Sequence, residues 1–117
     1  MTLDPRMAEI YNNLCWVYVC EHRNLDEAED LIQRALALNP SQPYFYLDTQ
    51  AVIRMRQGKY EQALASLTEA MRGTPPDARD ALVEQYEHLA EVYRLLGQEG
   101  DAEWAREQAA SLRGEGR

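Results

Sequence analysis

The sequence predicts an all-α fold, an α-solenoid of three helix-turn-helix repeats with six helices, and three observations carry that expectation. Alanine pairs seven residues apart recur as Ala28/Ala35, Ala63/Ala70 and Ala102/Ala109. Successive pairs are separated by 35 and 39 residues, in the range of two-helix solenoid repeats. The apolar residues around them follow a 3.6-residue period that Gly, Pro and Asn interrupt at intervals. Such an array presents an extended surface, so binding rather than chemistry is its expected mode of action.

Each helix is bounded by signals with a physical cause. Asp4-Pro5 offers a cap and a first-turn proline, and Met7, Ile10, Tyr11, Leu14 and Tyr18 share a helical face that runs to about Glu21. Asn24-Leu25-Asp26-Glu27 has the form of a capping box and opens a second helix carrying Ala28, Leu31, Ile32, Ala35 and Leu38, which Asn39-Pro40-Ser41 ends. A third helix starts near Gln42-Pro43 and stops at Gly58, a residue free to adopt the left-handed conformation that closes a helix. The fourth runs from Tyr60 to about Arg72 and ends at Gly73. Thr74-Pro75-Pro76-Asp77 reads as a cap with two first-turn prolines, so the fifth helix is expected to start there and reach Leu96. Gly97 closes it, and a sixth runs from about Glu99 to Leu112 before a frayed Gly-Glu-Gly-Arg tail.

Composition narrows the functional classes. The 117 residues make one domain, 1–117, large enough for a continuous core. A net charge of -8 opposes nucleic acid or anionic lipid as a partner, because a phosphate-tracking surface needs clustered Lys and Arg. No apolar run has the length to span a bilayer, and the first residues lack the apolar stretch of a secretion signal. Cys15 and Cys20 fall on one helix about 7.5 Å apart along its axis at roughly 1.5 Å per residue, too far for an unstrained disulfide. Reduced thiols fit a reducing, cytoplasmic location.

The repeated positions resemble those of the tetratricopeptide repeat family. The first repeat reads Tyr11, Leu14-Cys15, Tyr18, then Ala28, Ile32, Ala35, Pro40. The second reads Leu47, Gln50-Ala51, Arg54, then Ala63, Leu67, Ala70, Pro75, and the third Tyr86, Leu89-Ala90, Tyr93, then Ala102, Arg106, Ala109 without the closing proline. The resemblance implies a right-handed solenoid with repeats at about 8–41, 44–76 and 77–113. Small residues let paired helices approach closely, and large ones fill the space beside them. Gln50 and Arg54 stand where the family buries apolar groups; either they satisfy each other, or Arg54 snorkels while Ile53 and Met55 take over the packing. Arg106 fits a capping last helix that faces water, with Trp104 as its packing anchor or an exposed contact.

The resemblance also implies a concave groove lined by the first helix of each repeat. Aligning Cys15, Ala51 and Ala90 places Glu9, Asn12, Asn13, Trp16 and Cys20 in register with Phe45, Asp48, Thr49, Val52 and Arg56, and with Glu84, Glu87, His88, Glu91 and Leu95. Asn12 and Asn13 can donate to and accept from a peptide backbone, and Trp16 and Phe45 offer flat apolar contacts. The acidic third rung favours a partner segment of basic or apolar character. The alternative is a solvated acidic face with Trp16 packed in the floor. Some tetratricopeptide domains grip the acidic tails of heat-shock chaperones with Lys, Arg and Asn; Glu84, Glu87 and His88 stand where basic residues would be needed, so that function is not expected. The strings Asn12-Asn13-Leu14-Cys15-Trp16 and Tyr46-Leu47-Asp48-Thr49 are similar to segments of bacterial tetratricopeptide arrays, several linked to envelope or polysaccharide assembly.

Catalysis has little to build on. His22 and His88 are the two histidines, and no phosphate loop, nucleophile elbow or Cys-x-x-Cys pair occurs. Glu84, Glu87, His88 and Glu91 share a face but lack the Glu-x-x-His spacing of carboxylate-bridged metal sites, so no metal or other cofactor is expected. Cys15 occupies a small-residue contact and reads as a buried, inert thiol. The expectation is a non-enzymatic protein or peptide interaction scaffold. Its alternatives are self-association through the solenoid ends, giving a homo-oligomer, or membership of a longer repeat array.

Overall fold

The computed structural model describes residues 5–21, 24–38 and 42–114. Six helices follow in order: α1 (Pro5–Glu21), α2 (Leu25–Ala37), α3 (Pro43–Arg56), α4 (Tyr60–Arg72), α5 (Arg79–Leu95) and α6 (Glu99–Arg113). They pack as three pairs, α1 with α2, α3 with α4 and α5 with α6. The first helix of each later pair leans on the pair before it, giving an elongated body of 50 × 31 × 21 Å. Asp4, the Asn39-Pro40-Ser41 stop, His22, the side chain of Cys20 and the tail beyond Gly114 lie outside the described residues.

The alanine signature is the axis of each pair. Ala28, Ala35, Ala63, Ala70 and Ala102 are wholly buried and Ala109 almost so, because a larger side chain there would hold the paired helices apart. Cys15 meets α2 at such a contact, its Sγ donating to the Ala28 carbonyl at 3.2 Å. One core cluster joins Cys15, Val19, Ile32 and Ile53 across α1, α2 and α3, and a second joins Met55, Leu67, Leu89 and Val92 across α3, α4 and α5.

The turns within the second and third pairs share one geometry. Gly58 and Gly97 both have φ 80°. Around Gly58 the amides of Gly58 and Lys59 donate to Met55 and Arg54, and around Gly97 those of Gly97 and Gln98 donate to Arg94 and Tyr93. This paired closure satisfies helix-end carbonyls and needs a left-handed residue at its centre.

Two expected caps are corrected. Asn24 makes no side-chain cap bond and sits in the left-handed region at φ 52°, ψ 38°, so the capping box is not formed; α2 starts on the backbone bond from Ala28 N–H to the Asn24 carbonyl. Helix α5 starts at Arg79, about one turn later than the Thr74-Pro75 cap implies. The Thr74 hydroxyl is committed elsewhere, donating to the Ala70 carbonyl at 2.7 Å and accepting from Gln85 Nε2 at 2.9 Å. Pro75 is barred from helical geometry by the ring of Pro76 behind it, and Pro75 to Ala78 instead close a turn through the Ala78 N–H and the Pro75 carbonyl.

Gln50 and Arg54 satisfy each other indirectly. Glu29 of α2 accepts from Gln50 Nε2 at 3.0 Å and from Arg54 Nε at 2.8 Å, while Ser66 of α4 accepts from Arg54 Nη1 at 2.8 Å and donates to Gln50 Oε1 at 3.3 Å. The result is a closed polar ring linking three helices. Ile53 and Met55 are buried beside it and carry the apolar packing. On α6 Arg106 is exposed and paired with Glu103 at 3.0 Å. Trp104 is 47% exposed, yet it packs edge-on against Tyr86 with ring centroids 5.8 Å apart.

Candidate functional site: the concave face

The first helices α1, α3 and α5 touch in sequence, α1 with α3 and α3 with α5, and so present a common face. Position along the solenoid decides what each rung exposes. The middle helix is covered from both sides, and the residues expected to line it turn inward: Val52 is 4% exposed and belongs to the first core cluster, and Thr49 is 2% exposed with its hydroxyl donating to the Phe45 carbonyl at 3.0 Å. Val52 and Thr49 are therefore packing groups rather than surface ones. Phe45 and Arg56 are the exposed side chains of that rung.

On the first rung Glu9 and Asn13 are exposed. Asn12 is half-buried, and its Oδ1 has no hydrogen-bond partner among the described residues. Trp16 packs part-buried against the first core cluster, so it forms floor more than wall.

The third rung is acidic, but much of its charge is already answered. Glu87 pairs with Arg113 of α6. Glu91 accepts two hydrogen bonds from Arg94, at 2.7 and 3.2 Å, which hold its carboxyl below the usual range. His88 Nδ1 lies 2.9 Å from Asp48 Oδ1, a buried carboxylate of α3. Burial alone would lower the His88 pKa; the hydrogen bond and charge of Asp48, aided by Glu84, outweigh burial and the opposing Arg56, and raise it.

What stays open is a cleft of about 400 Å³ at the start of α5, lined by Phe45, Asp77, Ala78, Arg79, Asp80, Ala81 and Glu84. Phe45 is 44% exposed at its wall, its ring 4.6 Å from that of buried Tyr44. Three carboxylates and one guanidinium share this opening with an aromatic face. Register alone points to Phe45 and Glu84 but not to Asp77, in the turn before α5, or to Asp80, in the first turn of α5. Glu29 was missed too, because a second-helix position gave no reason to pair it with Gln50 and Arg54.

No group of three or more His, Cys, Asp or Glu side chains that could hold a metal ion occurs among the described residues. Burial and the charge of Glu29 push the Cys15 thiol up to about 12, far from a nucleophile's range. Among the described residues no helix is long and apolar enough to cross a membrane.

Residues 47–82, spanning α3, α4 and the turn into α5, match the family model described as Tetratricopeptide repeat. No curated protein and no solved structure matches the chain. The matched segment starts within α3 and reaches the first turn of α5, and the buried alanines and glycine-closed turn it contains recur in the third pair outside the match. Over residues 47–82 the chain is thus similar to the tetratricopeptide repeat family, and the recurrence extends the same pattern to the third pair.

Proposed function

We propose that this protein is an interaction scaffold whose concave face holds a partner segment of basic and apolar character, with a Lys or Arg of that segment seated beside Phe45 and Glu84. The observation that carries the reading is the cleft at the start of α5, where an exposed aromatic ring shares the lining with Asp77, Asp80, Glu84 and one cation, Arg79. A cation over an aromatic face gains about 0.5–1 kcal/mol at exposed sites. The carboxylates add encounter rate and selectivity against acidic ligands. With Glu87, Glu91 and Asp48 each holding an internal partner, the charge left for a ligand concentrates at this cleft. Asn13 on the first rung is exposed and offers both donor and acceptor to an extended backbone.

Selection of ligands from a random linear-peptide library tests this reading. Wild-type protein should enrich sequences with Lys or Arg next to apolar residues, and the Phe45→Ala/Glu84→Arg variant should lose that enrichment. Enrichment of acidic sequences, or the same sequences recovered by both proteins, contradicts it.

A further inference from the structure

We propose that the α1 edge of the solenoid is a self-association surface, on which a second copy of this chain docks its own α1 about a two-fold axis. Among the described residues six large hydrophobic side chains are exposed, and four of them, Met7, Ile10, Leu14 and Val17, lie on α1. Their spacing of three, four and three residues makes one continuous seam, as in paired helices.

The other repeats show what this seam is for. In register with Cys15, Ala51 and Ala90, Val17 corresponds to Ile53 and Val92, both wholly buried, and Leu14 to Gln50 and Leu89, both buried. Ile10 corresponds to Tyr46, part-buried, and to Gln85, which is 1% exposed. Ile53 belongs to the cluster shared with α2, Gln50 bonds Glu29 of α2, and Gln85 bonds Thr74 just after α4. These positions are thus where a neighbouring helix packs, and on α1 they are apolar throughout while Ile10 remains 54% exposed.

Charge and end chemistry select the occupant. Stacking head to tail would set this seam on α6, whose outer residues Glu103, Arg106 and Glu107 are charged and exposed. The charged outer face of α6 does not complement the apolar seam. A second α1 does complement it: in the antiparallel sense Ile10 faces Leu14 of the other copy and Met7 faces its Val17, which is the isologous contact of a two-fold dimer. Tyr11, Asn13 and Tyr18 flank the seam without charge. The two copies also keep their like charges apart. Helix α1 carries two carboxylates against one arginine, whereas α5 and α6 together carry eight against four and lie at the far end of the 50 Å body.

Sedimentation of the 117-residue chain across a concentration series, beside Ile10→Lys and Trp104→Lys, tests the proposal. Wild type and Trp104→Lys should approach twice the chain mass with concentration. Ile10→Lys should weaken dimerisation by about a hundredfold or more, since pairing would bury an unpartnered ammonium. Ile10 is exposed in the single chain, so an unchanged helical circular dichroism spectrum confirms that this variant folds. A wild type that stays monomeric at every concentration, or a dimer that Ile10→Lys leaves intact, overturns the proposal. Because Phe45→Ala/Glu84→Arg leaves the seam untouched, failure here and failure of the concave-face reading are separable.

Discussion

His88 Nδ1 and Asp48 Oδ1, 2.9 Å apart, tie α5 to α3 across the concave face. Because the pair raises the His88 pKa in the folded state, the folded chain holds this proton more tightly than the unfolded one. The linked stability is fully present below about pH 6.5, the ordinary histidine value, and is lost as pH rises through the folded pKa. Urea unfolding from pH 5.5 to 8.5 should therefore show a decline in wild type that is absent from His88→Gln. At the acid end Asp48→Asn should cost about 1.5–3 kcal/mol, the scale of a hydrogen bond to a charged group. A wild-type profile parallel to that of His88→Gln would contradict the linkage.

Glu29 and Arg54 form a second tie, with side chains 14% and 23% exposed. Removing one partner strands the other in a largely dry site, so Arg54→Met should lose about 2–3 kcal/mol. Replacing both, as Glu29→Met/Arg54→Met, should lose less than the two single changes added together. A double-mutant cycle by chemical denaturation reads this as a coupling of at least about 1 kcal/mol, and additivity would mean that the ring contributes nothing as a unit.

Glycine to alanine should act with opposite sign at two sites three residues apart. At Gly97 the backbone has φ +80° and an added Cβ meets no atom within 4 Å, so the cost is conformational alone, about 1–2 kcal/mol. Gly100 lies within α6 with open space around it, and alanine there should stabilise by about 0.5–1 kcal/mol. Thermal unfolding of the two variants checks both signs.

Cys15 should be silent to alkylating reagents in the folded protein. With its pKa pushed from 9.0 to about 12, its thiolate at pH 8 is reduced about a thousandfold, before any steric protection. In a Cys20→Ser background, iodoacetamide should label Cys15 only on unfolding, as mass spectrometry would show. Rapid labelling under native conditions would contradict the burial.

The helices were legible because their cause is local. Paired alanines, Gly58 and Gly97 act within one turn of chain, and the structure uses each as its chemistry requires. The late start of α5 was written in Pro75-Pro76, since the second proline denies the first a helical backbone, but the competing use of the Thr74 hydroxyl by Ala70 and Gln85 is tertiary. The concave face was legible only in part for a related reason. A register assigns Trp16, Val52 and Glu91 the same position, yet Val52 is covered from both sides while Trp16 and Glu91 stay half-buried. Likewise, nothing local told that Glu87 would meet Arg113 or that Asp48 would meet His88.

Amide chemical-shift mapping with a library-selected basic peptide asks where on this surface a partner sits. The concave-face reading predicts shifts concentrated at Phe45, Asp48, Glu84 and His88, with weaker binding as salt rises, because the cleft is solvent-exposed and its charges are screened. Shifts centred instead on α4 and α6, or binding indifferent to both salt and Glu84→Arg, would contradict it.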